Sequence, residues 1–403
     1  MNSNRRVNCI IPPQLLLRLL KSDDSEVRQT ALDTLLTTTR LRGERAVWSS
    51  FDGAPTPGNA RRTIFDCHGN RSRSLADHAR SEDGPPSGDE AVNRAFEGLG
   101  TTRDFYQQVL QRNSLNNRGM RLDGYVHFGR KYNNAFWDGR QMVFGEGDGK
   151  KFSDFTGSLS VIAHELAHGV TEFTAGLAYH DQPGALNESM SDVFGALVEQ
   201  WSLKQTADTA SWLIGSEIFT PGIGADALRS MKAPGEAYDN PLFGRDSQPD
   251  HISKYVRQPN TEEGDWGGVH DNSGIPNKAF YLTAERIGGN AWGAPGLIWY
   301  ESLKASSAET QFQDFADTTY QKAEELYGSD SAEQLAVMSA WREVGITISG
   351  VPVGVARART FAVHWDGAGE QGDGLAALTK QVGALTAQVT GLAKELASLK
   401  AGR

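Results

Sequence analysis

Residues 161–170, VIAHELAHGV, place two histidines four positions apart, with a glutamate directly after the first. On a helix, residues four apart lie on one face, so His164 and His168 can direct their imidazoles at one metal ion. Glu165 lies on the adjacent edge and can act on a water molecule without being a ligand. The pattern predicts a zinc site with its own base; the alternative is two core or solvated histidines.

A catalytic zinc needs three protein ligands and one open position for water. Twenty residues after His168, the segment ALNESMSDVFGALVEQW predicts a second amphipathic helix. Its Glu188 can complete the ligand set. Asp192, four residues on, can accept a hydrogen bond from the free N–H of a ligand histidine and fix its tautomer. We predict the same supporting role for Asn187.

His270 lies in DWGGVHDNSGIPNKAFY, a glycine-flanked stretch before a predicted helix. A lone histidine in such a loop is more often structural. Beside a zinc site, donation to a developing oxyanion becomes the better interpretation, with Asp265 orienting the ring.

The composition is that of an ordinary globular protein, with 38% hydrophobic and 22% charged residues among 403. A chain of this length predicts two or more domains. The net charge of −10 makes nucleic acid an unexpected partner. Two cysteines, Cys9 and Cys67, cannot form a disulfide framework.

The first residues, MNSNRRVNCIIPPQLLLRLLKSDD, carry early positive charge, but Pro12, Pro13, Gln14 and Arg18 interrupt the apolar run. No small-residue cleavage site follows, so we expect no recognisable signal peptide. We expect no membrane span either, because no stretch approaches the roughly 18 consecutive apolar residues that one needs.

Five segments are predicted along the chain. Residues 1–50 hold an amphipathic helix at 23–41, with Val27, Ala31, Leu32, Leu35 and Leu36 on its apolar face, ended by the basic stretch RLRGER. A Ser, Gly and Pro-rich linker at 49–61 separates this piece from a β-rich region, 51–156. Helical patterns dominate 157–346, which predicts an α+β fold with a cleft between the halves.

After a linker at 347–374, apolar residues at 375–400 alternate at spacings of three and four. This heptad pattern predicts a coiled coil and a possible homo-oligomer. The alternative is a helix that packs back on its own domain.

Together HELAH, NESMSD, GGVHDNSGIPNKAFY and YNNAFWDGRQMVFGEGDG resemble the thermolysin family of zinc endopeptidases over about residues 62–346. The resemblance implies a β-rich N-terminal domain and an α-helical C-terminal domain, with the zinc site in the cleft between them. It implies that His164, His168 and Glu188 hold Zn²⁺ and that Glu165 is the general base of peptide hydrolysis.

The same resemblance assigns the substrate contacts. Tyr179 and His270 match the family's donors to the transition state, and Asp265 matches the carboxylate that orients this histidine. Side chains or backbone of three residues match the groups that hold the substrate main chain: Asn134, Ala135 and Arg229. Five apolar residues match the pocket for the residue after the scissile bond: Phe152, Val161, Ile214, Ile218 and Leu228. Cleavage before bulky hydrophobic residues is therefore expected, although the five can equally be core.

Calcium is a possible further ion. At the family's paired calcium site the chain keeps Glu199 but has Ser160, Ser211, Leu213 and Ser216, too few acidic side chains for an ion that takes about six to eight oxygens. A second stretch, FTPGIGAD, still resembles a single calcium loop through Thr220, Ile223 and Asp226.

The stretch CIIPPQLL resembles the two-proline motif of the short propeptide in the protealysin-like branch. This implies a zymogen, secreted without a recognisable signal peptide or kept as a cytoplasmic precursor. Cys9 can approach the zinc as a thiolate, or it can be a small buried apolar residue.

Two other functions compete with a peptidase. In one, the first segment stays bound and the coiled coil is the functional part of an interaction protein; the intact ligand set argues against it. In the other, a zinc amidase, the substrate is not a peptide; YNNAFW and Arg229 suit an extended peptide instead.

Overall fold

The computed structural model describes residues 7–48 and 61–351. The linker predicted at 49–61 falls almost wholly outside these residues. The linker at 347–374 lies outside them from residue 352 onward, and the coiled coil at 375–400 lies outside them entirely.

Six strands form one mixed sheet in the order β1-β5-β6-β4-β2-β3. Their ranges are β1 Asn8–Cys9, β2 Arg62–Asp66, β3 Asp77–Ser81, β4 Leu122–Val126, β5 Ala135–Trp137 and β6 Met142–Phe144. Strand β4 runs parallel to β2 and β6, and the other neighbours are antiparallel. The sheet therefore has β1, from the amino-terminal segment, as one of its edges.

Helices form most of the second half of the molecule, and a helix of the first half packs against the sheet. Helix α3, Glu90–Leu110, packs on β2 and β4 and is capped by Asp89, whose carboxylate accepts from the N–H groups of Ala91 and Val92. The later helices are α4 Leu159–Glu172, α5 Asp181–Leu203, α6 Asp265–Asn272, α7 Gly274–Ile287, α8 Ala294–Ala305, α9 Phe312–Tyr327 and α10 Ala332–Glu343. Among the described residues, every helix falls short of the length and apolarity that crossing a bilayer needs.

The helical prediction for 157–346 was too broad. Between α5 and α6 the chain forms turns and four two-residue strands: β7 Leu213–Ile214, β8 Arg229–Ser230, β9 Asp239–Asn240 and β10 Gly244–Arg245. Six glycines and prolines interrupt the stretch from 215 to 235, which explains why no helix can propagate there.

Helix α4 lies at the centre of the fold. It packs against α3, α5 and β5, and every residue from Ser160 to Thr171 is buried. Polar groups at such a position need partners, because an unpaired buried donor or acceptor costs free energy. The histidines of α4 are therefore held in fixed surroundings.

The amino-terminal segment folds as β1, helix α1 Pro13–Leu19 and helix α2 Ser25–Trp48. The apolar face predicted for α2 is wrong in part: Leu32 and Leu36 are 41% and 61% exposed. Four threonines are buried instead, and their hydroxyls explain this, since Thr38 bonds the Tyr132 hydroxyl at 2.8 Å and Thr34 accepts from the N–H of Asn133. The four are Thr30, Thr34, Thr37 and Thr38.

Helix α2 does not end at RLRGER, as predicted, but continues through it to Trp48. The arginines there are paired with the rest of the molecule. Arg42 forms an ion pair with Glu262, and Arg45 lies 2.9 Å from Glu172 in α4. The basic stretch is thus part of an interface rather than an exposed connection.

His127 ties β2 and β4 to the start of α3, and this contact predicts a pH dependence of stability. Its Nδ1 is 3.0 Å from Asp66 and its Nε2 is 3.6 Å from Asp89. Burial disfavours the protonated ring, but Asp66 and Asp89 outweigh burial and raise the pKa of His127. Because the folded pKa exceeds the unfolded value of about 6.5, the stabilisation is complete below about pH 6.5 and is lost as pH rises through the folded value.

We therefore expect His127→Asn to lower the urea midpoint most at about pH 5.5 and least at about pH 9. Asparagine is the matched replacement because the φ of +48° at this position suits it. Urea unfolding of both proteins over this pH range measures the difference. A loss of midpoint that stays constant with pH would contradict an ionised His127.

Candidate metal centre and active site

His164 and His168 of α4 meet Glu188 of α5 at a completely buried point. One ligand atom from each side chain lies within 4.8 Å of the others. The two Nε2 atoms are 3.1 Å apart, and oxygens of Glu188 lie 3.4 Å and 3.5 Å from them. Glu188 Oε2 has no hydrogen-bond partner among the described residues. Two imidazoles and a carboxylate that converge in this way suit Zn²⁺.

The far side of each histidine is held by an acceptor. Asp192 Oδ1 is 2.8 Å from His164 Nδ1, and Asn187 Oδ1 is 2.8 Å from His168 Nδ1. The hydrogens therefore lie on Nδ1, and the Nε2 lone pairs face the centre. Burial lowers the pKa of His168 to about 4, against the charge of Glu188, so this ring is neutral at pH 7, as a metal ligand must be.

Glu165 follows His164 directly and is also completely buried. Its Oε2 accepts from the backbone N–H of Trp137 in β5 at 3.0 Å. Its Oε1 has no hydrogen-bond partner in the part of the chain that the structure describes. Burial, followed by the charge of Glu188, raises the pKa of Glu165 well above its usual value. The carboxylate can thus take up a proton.

Two donors face Glu188 from other elements. The Tyr179 hydroxyl donates to Glu188 Oε1, and His270 Nε2 lies 3.5 Å from Oε2. Asp265 fixes His270 twice, accepting from Nδ1 at 2.6 Å and from the backbone N–H at 2.8 Å. Burial opposes protonation of His270, but Asp265 and Glu188 outweigh it and raise the pKa to about 9. At neutral pH His270 therefore donates from both ring nitrogens.

The backbone of α6 explains how Asp265 reaches His270. Residues 265–268 all have positive φ, so the chain turns sharply before it becomes helical. At Gly267 the φ is +90°, and a Cβ would lie 2.4 Å from Asp181 Oδ1. Only glycine fits this turn.

Asp192 joins the metal centre to the cleft wall. Arg229 Nε and Nη2 donate to its two oxygens, both at 2.8 Å, and Asn277 Nδ2 donates to Oδ2 at 2.8 Å. Burial opposes ionisation of Asp192, but Arg229 and His164 hold its pKa well below the usual range. Sequence reasoning missed Asn277, which lies within the quoted GIPNKAFY, and the backbone N–H of Trp137. No spacing pattern singles out either group.

The cleft beside these residues contains the chain's own amino-terminal segment. Strand β1 pairs antiparallel with β5. The segment's hydrogen bonds continue beyond β1: Ile10 N–H donates to the carbonyl of Ala135 at 3.3 Å, and Ile11 N–H donates to Asn134 Oδ1 at 3.0 Å. Asn134 Nδ2 in turn lies 3.4 Å from the carbonyl oxygen of Ile11.

Two charged side chains complete this set of contacts. Arg229 Nη1 donates to the carbonyl of Ile10 at 3.3 Å, and His270 Nε2 lies 3.1 Å from the carbonyl oxygen of Cys9. The three residues that the sequence assigned to the substrate main chain, Asn134, Ala135 and Arg229, therefore all contact the extended amino-terminal segment.

The surroundings of the Cys9 side chain favour a small buried apolar residue over a zinc-bound thiolate. It is buried in an apolar cluster that includes Val7, Leu41 and Cys67. Burial raises the pKa of the Cys9 thiol to about 12, so the sulfur is a thiol at neutral pH. The carbonyl of Cys9, rather than its sulfur, contacts His270.

The five predicted pocket residues are all buried, none more than 3% exposed. Val161 and Leu228 approach each other at Gly215, where an added Cβ would lie 3.3 Å and 3.1 Å from them. Phe152 stacks with Phe155. Ile214 in β7 is paired with Arg229 in β8, and the carbonyl of Ile218 accepts from the N–H of Ser153. Burial does not separate pocket from core, so the pocket stays a prediction.

Glu199, the acidic residue retained from the paired calcium site, is partly buried. Burial and the charge of Glu217 raise its pKa to about 7. No third carboxylate clusters with this pair among the described residues. Calcium binding, here or at Thr220, Ile223 and Asp226, stays a prediction.

A buried His, His, Glu centre with a carboxylate beside it, at the junction of a sheet domain and a helical domain, defines a metallopeptidase. Comparison with known families agrees. Residues 62–172 match the thermolysin metallopeptidase catalytic domain, and residues 175–346 match the thermolysin metallopeptidase alpha-helical domain. The chain belongs to the thermolysin family, whose members use zinc, and it is a hydrolase of peptide bonds.

Similar proteins cover most of the chain. An extracellular metalloprotease of Pectobacterium carotovorum subsp. carotovorum is 44% identical over 353 residues, 86% of this chain and 98% of that protein. Protease PrtS of Photorhabdus sp. (strain Az29) is 43% identical over 352 residues, 86% of this chain and 94% of that protein. The solved precursor of protealysin, a metalloproteinase from Serratia proteamaculans, is 45% identical with a TM-score of 0.76, covering 84% of this chain and 100% of that one. The predicted α+β fold and protealysin-like resemblance are confirmed.

Proposed function

We propose that this chain is a zinc endopeptidase made as a zymogen, in which Glu165 is the general base and the segment before residue 50 blocks the cleft. One observation supports the zymogen above all others. Cys9, Ile10 and Ile11 are hydrogen-bonded along the groups that an extended substrate needs.

His164, His168 and Glu188 would hold the zinc. Bound there, zinc lowers the pKa of water and polarises the scissile carbonyl. Glu165 takes the proton of the attacking water on Oε1, its free oxygen, while the Trp137 N–H holds Oε2 in place. The raised pKa of Glu165 favours this transfer, and the same carboxyl then delivers the proton to the leaving amine.

His270 and Tyr179 act on the oxygen of the scissile carbonyl. The contact between His270 Nε2 and the carbonyl oxygen of Cys9 marks where that oxygen would lie. Both side chains donate, and negative charge that develops on the oxygen strengthens these bonds in the transition state. Asp265 keeps the His270 ring protonated and oriented.

The register of the bound segment supports cleavage before bulky hydrophobic residues. With the Cys9 carbonyl at His270, Ile10 takes the place of the residue after the scissile bond. Ile10 is completely buried and belongs to the same apolar cluster as Val161 and Leu228. We therefore assign Phe152, Val161, Ile214, Ile218 and Leu228 to the wall of this pocket.

Contacts outside the cleft hold the blocking segment in place. Leu15, Leu16 and Leu19 of α1 are buried, and Glu26 of α2 is paired with Lys131 and Lys150.

We propose the boundaries 1–50, 51–156 and 157–346 for propeptide and peptidase domains, and oligomerisation through 375–400. The extracellular name of the Pectobacterium protein supports a secreted enzyme.

The purified full-length chain tests this function. We expect casein hydrolysis to rise as roughly fifty amino-terminal residues are lost and to stop when a zinc chelator is added. Casein assays run with mass spectrometry of the same samples measure both. A chain that binds zinc, loses the segment and still leaves casein intact would contradict a general endopeptidase.

A further inference from the structure

A small cavity of about 30 Å³ lies beside the blocked cleft. Helix α1 closes one side, and residues from β8 and the loop after β10 line the other. Arg229 and His270 also line it, and these two side chains contact the carbonyls of Ile10 and Cys9. The cavity is therefore adjacent to the chain on the leaving-group side of the scissile position.

Two buried side chains offer acceptor oxygens at this cavity, Asp271 and Gln248. Asp271 is 8% exposed, and its Oδ1 accepts from the Ser247 hydroxyl at 2.5 Å. Gln248 is 7% exposed, and its Nε2 donates to the carbonyl of His270 and to Ser273. Its Oε1 is then left without a hydrogen-bond partner among the described residues. The Gln14 amide of α1 also lines the cavity without a hydrogen-bond partner among the described residues, so the blocking segment does not satisfy this oxygen, and a donor on a bound ligand would.

The charges around the cavity favour a cation. Asp246 and Asp271 both line it. The positive charges on the peptidase side are already paired, because Arg229 donates twice to Asp192 and His270 donates to Asp265. The carboxylate of Asp246 accepts from three backbone N–H groups, which leaves Asp271 as the carboxylate available to a ligand.

The blocking segment supplies a cation at this place. Arg18 of α1 lines the cavity, and its Nη1 donates to the carbonyl of Phe243. Burial, Asp246 and Asp271 raise the pKa of Tyr238, whereas Arg18 lowers it, so these charges act on one phenol. A substrate that displaces the segment also removes this arginine, and its own side chain can replace it.

We propose that this cavity binds a lysine or arginine side chain of the substrate, located two or three residues after the scissile bond, with Asp271 and Gln248 as its acceptors. The assignment rests on the proposed peptidase function. It adds a preference for basic residues to the expected preference for an apolar residue directly after the bond.

Quenched fluorescent peptides test the preference in the full-length chain, incubated until its peptidase activity is constant. All carry isoleucine directly after the intended scissile bond. Two series place lysine, norleucine or glutamate at the second or the third position. We expect kcat/KM for lysine to exceed that for norleucine about tenfold in one series, with glutamate slowest, because a buried hydrogen bond to a charged group contributes at about this level.

Asp271→Asn is expected to reduce the lysine-to-norleucine ratio to about one. Because the ratio compares two substrates of one enzyme, any effect of the substitution on the neighbouring His270 cancels. Asp250→Asn is the matched control, since it also removes one negative charge, from a half-exposed carboxylate paired with Lys254 outside the cavity. Its ratio is expected to equal that of the unchanged chain.

Equal rates for lysine and norleucine in both series would overturn the cation site and leave the peptidase function standing. A preference that persists in Asp271→Asn would overturn the role of Asp271. If no peptide of either series is cut, the proposed peptidase function itself fails.

Discussion

Replacing Glu165 with glutamine is expected to leave zinc bound and to remove nearly all turnover. Glutamine has the same shape, and its side-chain oxygen can still accept from the N–H of Trp137. It cannot take up a proton from water. General base catalysis accelerates a reaction by about 100-fold to 10,000-fold, so kcat should decrease by a factor in this range. Zinc stoichiometry and peptide hydrolysis, measured on the same preparation, give both quantities.

Glu285→Gln provides the matched control, because Glu285 is an exposed glutamate on helix α7, away from the metal centre. Its kcat should equal that of the unchanged chain. Full turnover in Glu165→Gln would remove this residue from the mechanism. Loss of both zinc and turnover would show instead that Glu165 supports the ligands.

The second large effect concerns the ion pair between the blocking segment and the loop before His270. Arg42 and Glu262 are 11% and 22% exposed, and Glu262 also accepts from the Thr39 hydroxyl. Removing one partner of such a partly buried, hydrogen-bonded charge pair costs about 2 kcal/mol. We therefore expect Arg42→Ala to raise the fraction of precursor with an open cleft roughly 30-fold.

The initial rate of peptide cleavage by the intact precursor, taken before any mass is lost, measures this fraction. Arg28→Ala is the control: it removes an arginine of the same helix that donates to the carbonyls of Ser22 and Asp23 within the segment. An unchanged initial rate in Arg42→Ala would show that the cleft contacts alone keep the precursor closed.

Two of the three predicted ligands could be grouped from helical geometry alone. The spacing of His164 and His168 brings both rings to one face, and the structure places Glu188 of the next helix against them. Residues that support the ligands from distant parts of the chain were not predictable in this way. Asn277 comes from a helix more than eighty residues away, and no local pattern marks it as a partner of Asp192.

The amino-terminal segment shows where sequence reasoning fails. An apolar stripe of leucines predicted the buried face of α2, yet Thr34 and Thr38 are buried and Leu36 is exposed. The partners of these hydroxyls, Tyr132 and Asn133, lie about a hundred residues further along the chain. A hydroxyl becomes an interior group only when such a partner exists, and periodicity carries no information about it.

The place of β1 in the sheet has a consequence for solubility. An uncovered edge strand offers its N–H and C=O groups to any other chain, which makes it a template for aggregation. Strand β5 loses its outer neighbour whenever β1 leaves, because β1 is the sheet's edge there. Strand β5 is only three residues long, Ala135–Trp137. A peptidase must expose such an edge in order to bind peptides, and its shortness limits self-association to a few hydrogen bonds.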